Sequence, residues 1–313
     1  MRKVALWSLG LVLAAAGSAA LGGEGGLFNA ESSVPVKIYG YVKLDMARDD
    51  SRLNNGDFAD WVLSEATKKN DTEFNATAKQ TRLGIALGEM DCGPARVTGK
   101  VEVDFYGVGA ADNKPGLLLR HAFVQADFEA LGLSVIAGQT SDLVSPLFMP
   151  TVNYTVGWWQ GNIGYRRPQL RLTKGFDLEL GPLSNVEVAV AATRNIGVAA
   201  GDPPWASDDT GEDSGVPGLQ WRVAVKLQLL TDKPTVIGVY GSVHTEEYDT
   251  DAADNDEDIG SDMVGADLTL PLTDWLGLKA EVFQGRNLST FLGGIAQGTN
   301  GIHEVSTIGG WAA

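Results

Sequence analysis

The 313-residue chain holds one cysteine, Cys92, three histidines, and 24 basic residues against 40 acidic ones. A single thiol allows no internal disulfide and no zinc finger, which excludes a disulfide-stapled secreted scaffold without fixing a compartment. The basic deficit, a formal charge of −16, excludes nucleic acid as a partner, because phosphate neutralisation needs a basic footprint. His121, His244 and His303 have no metal-ligand spacing, and no Ser-centred nucleophile elbow occurs. No enzyme is expected, since no Ser, His and Asp groups converge in the sequence. Asp254, Asp256 and Asp258 with Gly260 are spaced much like a calcium loop, but the glycine falls one position late and Gly265 stands where the closing Glu belongs. That leaves only loose divalent binding among acidic loops, and no metal site.

Long apolar runs are also missing after the N-terminus. The one that exists, Val4 to Gly17, follows Arg2 and Lys3 and ends in Ser18, Ala19 and Ala20, small residues that a signal peptidase accepts. Residues 1–20 therefore read as a signal peptide. The alternative, an anchor helix, needs about 20 apolar residues and the run is shorter. Residues 21–35 follow as a short periplasmic N-terminal segment, and 36–313 as the barrel domain.

What the chain has is alternation, with 39 glycines and 8 tryptophans among it. Ile38, Gly40, Val42, Leu44 and Met46 share one parity, and Lys37, Tyr39, Tyr41, Lys43 and Asp45 the other, the period of a strand with two unlike faces. Eleven further stretches behave alike, the last of them, Val305 to Trp311, the weakest. Gaps between strands alternate long and short. The long ones are Ser51 to Ala78, Gly107 to Gly116, Ser141 to Arg166, Asn195 to Gly218, Thr245 to Ser261 and Gly285 to Glu304. Such parity is natural to a transmembrane antiparallel β-barrel, with short turns on one side and long loops on the other. Closing the sheet also satisfies the backbone in a solvent that offers no hydrogen bonds. With an export signal, this places the chain in the outer membrane of a Gram-negative-type cell. The alternative is a secreted soluble β-sandwich or lectin-like binding protein, which explains the alternation but not the loop parity.

The stretch from Gly138-Gln-Thr-Ser-Asp142 through Thr151-Val-Asn-Tyr-Thr-Val-Gly-Trp-Trp159 to Gly161-Asn-Ile-Gly-Tyr-Arg-Arg-Pro-Gln169 resembles the centre of DcaP-like trimeric porins. Gly40-Tyr-Val-Lys-Leu-Asp45, Thr81-Arg-Leu-Gly84 and Leu119-Arg-His-Ala-Phe-Val124 are similar to further parts of that family. The resemblance implies a loop folded into the lumen, a homotrimer, and a barrel of about sixteen strands. Only about twelve are found here, and the chain stops at Trp311-Ala-Ala313 without a terminal aromatic strand. The expectation is a 16-stranded porin truncated at its C-terminus; the rival is a complete twelve-stranded barrel, also even-numbered.

On inward parity lie Lys37, Lys43, Arg82, Lys100, Arg167, Arg171, Arg222, Lys226 and Lys279, against Asp45, Glu102, Asp104, Asp127, Glu187, Asp267 and Glu281. The wall is roughly balanced, and the surplus acid lies in loops such as Asp249 to Asp258. The expected pore-lining and constriction residues are Arg82, Arg167, Arg171, Arg222, Glu102 and Asp104, with Tyr154, Trp158 and Trp159 on the loop from Ser141 to Tyr165. Those aromatics either form a slide for organic solutes, pack the loop against the wall, or join an interfacial belt. Arg120, Arg166 and Arg194 fall on outward parity, where they either snorkel to lipopolysaccharide phosphates or are turned inward by bulges. The function implied is a channel for passive diffusion of small hydrophilic, anionic solutes, with outer-membrane lipid and lipopolysaccharide around it. Such permeation requires no cofactor and no catalytic residue. A non-conducting structural barrel is the further alternative.

This topology puts the acidic loop outside and Cys92 on a periplasmic turn. An impermeant thiol reagent on intact cells is expected to label a cysteine replacing Asp256 and to spare Cys92; equal labelling of both would reverse or abolish the assigned orientation.

Overall fold

The computed structural model describes residues 34–53, 57, 61–65, 72–107, 115–153, 155–196, 214–249, 256–300 and 303–313. The signal peptide, most of the residue 21–35 segment, Tyr154 and Asp254 lie outside the described residues. Strands run β1 Val36–Tyr41, β2 Asp45–Asp49, β3 Glu73–Thr77, β4 Arg82–Cys92, β5 Ala95–Gly107, β6 Gly116–Phe128, β7 Leu133–Ser141 and β8 Arg166–Leu180. They continue as β9 Leu183–Thr193, β10 Gly218–Leu227, β11 Thr235–Asp249, β12 Asp256–Pro271, β13 Gly277–Arg286, β14 Thr299–Asn300, β15 His303–Glu304 and β16 Ser306–Ala312. No described helix is long and apolar enough to cross a membrane.

Twelve of these strands form one sheet in the order β1-β4-β5-β6-β7-β8-β9-β10-β11-β12-β13-β16. Every neighbouring pair is antiparallel. Eleven of the twelve alternating stretches of the sequence lie in it; the first, Lys37 to Met46, joins it only as far as Tyr41, and its Asp45 and Met46 belong to β2. The β2–β3 and β14–β15 hairpins stand apart from this sheet, inside long connections. Among the described residues no ladder joins β1 to β16, so these two strands are the sheet's ends.

Polarity is inverted relative to a soluble protein. Ile38 is 79% exposed and Ile308 82%, and Ile85, Val101, Leu170, Val190, Val223, Val239, Val264 and Val282 are exposed on the same outer face. Glu102, Asp104, Arg167, Gln169, Gln220, Asp267 and Glu281 are buried on the other. A soluble sandwich buries its aliphatic face against a second sheet; here a single sheet turns that face outward, which sets the sandwich reading aside. In hydrocarbon the outer aliphatics need no cover, and the continuous ladder satisfies the backbone there.

Glycine abundance has a packing explanation. Gly84 pairs directly with Tyr39, Gly265 with Tyr240, Gly309 with Phe283 and Gly241 with Trp221. In each pair the ring lies over the glycine, so that an added Cβ would collide with it. The bare backbone of one strand thus receives the aromatic of the next, a cross-strand device that recovers side-chain packing where glycine has none. Gly138 serves differently. Its φ of 128° is open to glycine alone, and a Cβ there would strike the carbonyl of Ala122 on β6.

The sheet curls around the β7–β8 loop. Lys43, just beyond β1, donates from Nζ to Val152 O on that loop at 2.9 Å, while Gly161 packs against the carbonyl of Gly310 on β16. One loop therefore meets both ends of the sheet.

Val101 on the outer face and Lys100 on the inner one test this inversion. Val101→Arg is expected to cost roughly 2–4 kcal/mol in a refolding assay in lipid, because a charge near the midplane must be dehydrated or snorkel. Lys100→Ala is expected to stay within about 1 kcal/mol, since Glu102 keeps other donors and the pair is partly water-exposed. The reverse order of damage would exchange the two faces.

Candidate functional site: the lumen and its infolded loops

Between Leu143 and Tyr165 the sequence contains no Lys, Arg, Asp or Glu. A stretch so poor in charge is a poor outer loop, and its backbone polar groups must find partners within the protein. The wall supplies them. Asp142 N donates to Tyr165 O at 3.0 Å and Tyr165 N to Asp142 Oδ2 at 3.1 Å, closing the neck where β7 leaves and β8 returns. Leu143 N donates to Gln220 Oε1 on β10 at 2.8 Å, and Gln220 Nε2 donates back to Asp142 Oδ1 at 3.0 Å. Further along, Glu281 on β13 accepts three hydrogen bonds: from Ser145 Oγ at 2.6 Å, Leu147 N at 2.8 Å and Trp311 Nε1 at 2.9 Å. Val144 and Ile163 of the loop pack with Tyr240, Met263 and Phe283 of the wall in one buried apolar cluster, joined by Leu288 and Phe291.

Leu288 and Phe291 belong to a second infolded loop, between β13 and β14. It is built on two short 3-10 turns, Ser289–Phe291 and Gly294–Ala296. The two loops exchange backbone hydrogen bonds: Trp159 N to Leu292 O at 2.9 Å, Ile295 N to Trp159 O at 2.9 Å, and Gly164 N to Phe291 O at 2.7 Å. The wall holds the second loop as well. Glu246 Oε1 on β11 lies 3.0 Å from His244 Nε2 and accepts from Asn287 Nδ2 at 3.3 Å, and Ser261 Oγ on β12 donates to Asn287 O at 2.9 Å. Sequence parity did not find this loop. Its signal was available in another form, since residues 287–302 carry no charge either.

The charged wall is paired more completely than a count of signs conveys. Glu102 receives Arg82 Nη1 at 3.1 Å, Lys100 Nζ at 3.0 Å and the Tyr39 hydroxyl at 2.8 Å. Arg222 forks onto Asp267 through Nε at 3.0 Å and Nη2 at 2.7 Å, and its Nη1 lies 3.8 Å from Glu187. Asp104 is buried against Arg120. Arg120 falls on outward parity in the sequence, but the β5–β6 register shifts between Glu102 and Val103, opposite His121 and Leu119. That bulge leaves Arg120 as the extra residue and turns it inward, so it is a buried partner rather than a snorkelling one.

Arg171 differs from these. It is half-buried, donates from Nε to Gln169 Oε1 at 2.9 Å and from Nη2 to Ser141 O, and has no carboxylate oxygen within ion-pair distance among the described residues. Arg167 is 1% exposed and lies on Asp142 with Nε 3.0 Å from Oδ1. It is thus removed from the water-facing surface on which the sequence parity puts it beside Arg171 and Arg82. Trp158 is buried, edge-on to Phe148, and so packs the loop rather than lining open lumen. Trp159 remains partly exposed, and Tyr154 is outside the described residues. No cluster of three or more His, Cys, Asp or Glu suited to a metal ion occurs among the described residues.

No family model and no curated protein matches this chain. Among solved structures it is similar to the outer membrane channel DcaP of Acinetobacter baumannii, with a TM-score of 0.60 and 20% identity over 84% of this chain and 67% of that one. It also aligns with OmpTdeltaL8, a loop L8 deletion mutant of OmpT, an outer membrane protein of Vibrio cholerae, over 82% of each chain, but a TM-score of 0.37 at 12% identity carries no argument. The DcaP likeness shows the fold, an outer-membrane β-barrel fold of the DcaP type.

Glu281 tests how the first loop is held. Replacing it with Leu leaves Ser145, Leu147 and Trp311 without their acceptor, at about 1–3 kcal/mol for each donor that stays dry. Faster cleavage at Phe148 or Trp158 by chymotrypsin is the expected result, with strand content unchanged by circular dichroism. An unaltered cleavage rate would remove Glu281 from the anchorage.

Proposed function

We propose that this protein is an outer-membrane porin through which small hydrophilic, preferentially anionic solutes diffuse down their gradients. The observation that carries this reading is the inside-out wall: an aliphatic outer face, a charged inner one, and an uncharged loop drawn into the interior between Asp142 and Tyr165. Such an interior has no use in a lipid-bathed barrel unless polar solutes or water pass beside it. The fold shared with a protein described as an outer membrane channel supports the same reading.

Anion preference rests on Arg171. Arg82 and Arg222 are matched by carboxylates, so each pair acts on a passing ion as a short dipole. Arg171 is held by neutral oxygens at the root of the infolded loop, with Asp142 and Glu187 near it but not in ion-pair contact, so its charge is less fully matched. Guanidinium binds carboxylate and phosphate oxygens through a planar fork, which favours organic anions over bare halide. Acids on the outer loops are screened over about 8 Å at physiological ionic strength and act less on ions within the constriction. Homotrimeric assembly and contacts with lipopolysaccharide form part of the same proposal.

In planar bilayers under a potassium chloride gradient, the protein is expected to prefer chloride modestly, and Arg171→Glu to move the reversal potential toward cations. A strongly cation-selective channel with no shift on Arg171→Glu would assign selectivity to the loop acids. Complete absence of conductance would favour a structural barrel whose lumen the two loops close.

A further inference from the structure

We propose that Arg167 is a positioning residue that locks the β7–β8 and β13–β14 loops into a single gate, so that the second loop, as much as the first, sets the aperture of the lumen. The proposal deepens the channel reading and rests on it for its electrical arm alone.

Arg167 is a buried side chain with polar contacts to both loops. Its Nε lies 3.0 Å from Asp142 Oδ1 at the neck of the first loop. Its Nη2 donates to Thr290 O, in the first 3-10 turn of the second loop, at 2.9 Å. The guanidinium plane also covers the ring of Phe291, with Cζ 4.3 Å from the ring centroid. One rigid, planar cation therefore holds a carboxylate, a carbonyl and an aromatic face together, a combination that a lysine ammonium cannot reproduce from one point. Beyond this clamp the loops are joined by the three backbone hydrogen bonds of Trp159 and Gly164 and by the apolar packing of Val144 and Ile163 with Leu288 and Phe291.

Backbone conformation places strain in the two loops. Among the described residues five non-glycines have positive φ: Ser145 and Trp159 on the first loop, and Asn287, Leu292 and Ile295 on the second. None occurs in the wall. For Trp159, Leu292 and Ile295, at φ of 67°, 58° and 54°, the left-handed region is unfavourable and persists only where the surroundings impose it. These three residues make two of the three inter-loop hydrogen bonds, so the strain is concentrated at the junction that Arg167 secures. Removing the clamp lets the strain be relieved by separation of the loops.

The test uses the whole protein with Cys92→Ser and paired cysteines at Trp159 and Leu292, whose bonded backbone atoms are 2.9 Å apart. A short bifunctional thiosulfonate is expected to join them rapidly. Arg167→Gln should slow this cross-linking about tenfold or more, the factor that accompanies loss of one buried hydrogen bond to a charged group. Arg167→Lys should slow it comparably although the charge is kept. In bilayers both variants should show increased open-channel noise that cross-linking suppresses, while Arg167→Lys leaves the reversal potential unchanged. Where Arg167→Gln fails to insert, Phe291→Leu keeps every charge and should slow cross-linking about threefold, the scale of an ordinary cation–π contact. Unchanged cross-linking in Arg167→Gln, or wild-type behaviour of Arg167→Lys in both assays, overturns the clamp. A wild-type protein that cross-links as expected but carries no current keeps the clamp and sinks the channel reading instead.

Discussion

Everything in this molecule follows from the need to satisfy backbone hydrogen bonds where the solvent offers none. A transmembrane strand has no side-chain means of capping its peptide groups, and each one left unpaired in hydrocarbon costs several kcal/mol. The single antiparallel ladder from β1 to β16 meets that requirement, and it dictates the distribution of side chains. Once aliphatic residues face lipid, a charge in the middle of a strand has only the interior to occupy, while one near a strand end, such as Asp262 or Arg286, can stay exposed. The interior is then crowded with ionisable groups that must neutralise one another, which is why Glu102, Asp104 and Asp267 each meet a cation and why bulges are tolerated where they bring one in.

The loops solve the converse problem. A chain segment that enters the lumen leaves bulk water without joining the ladder, so its peptide groups depend on wall side chains for partners. Gln220, Glu246 and Glu281 perform that service, each reaching inward from a different strand. Loop anchorage and cation pairing therefore draw on the same residue types, and only the geometry of each pairing distinguishes them.

This division explains what could be read from sequence. Side-chain period two is a property of the strand itself, so the twelve strands and the faces of Val101, Lys100 and Arg171 were legible without coordinates. Arg120 was not, because a bulge shifts parity by one residue and has no signature in the alternation. The β2–β3 and β14–β15 hairpins, five and two residues to a strand, are too short to show a period. Arg167 is a different kind of miss. Its inward parity is visible, but its burial depends on a second loop, contacted through Thr290, 123 residues away in the chain. Loop charge would have located that second loop, since the two long uncharged connections both fold inward, while the stretches 194–217 and 249–258 carry acids.

The distinction between counting charges and pairing them bears on how any such wall acts on an ion. Nine cations against seven anions on inward parity suggest a nearly neutral pore, yet a neutral sum can hide a directed field. A salt-bridged pair about 3 Å across presents a dipole whose influence falls steeply with distance, whereas a lone unit charge 4 Å from an ion contributes about 4 kcal/mol at an effective dielectric of 20. On the channel reading proposed above, Arg171 outweighs the better-paired Arg82 and Arg222 in its effect on a passing solute, although all three look equivalent in sequence. Its strength has a structural condition. Gln169 and the carbonyl of Ser141 hold the guanidinium without cancelling its charge, and both belong to the segment where the infolded loop departs. The infolded loop thus also orients the cation at its root, and on the channel reading proposed above steric and electrostatic control act at the same place along the solute's path.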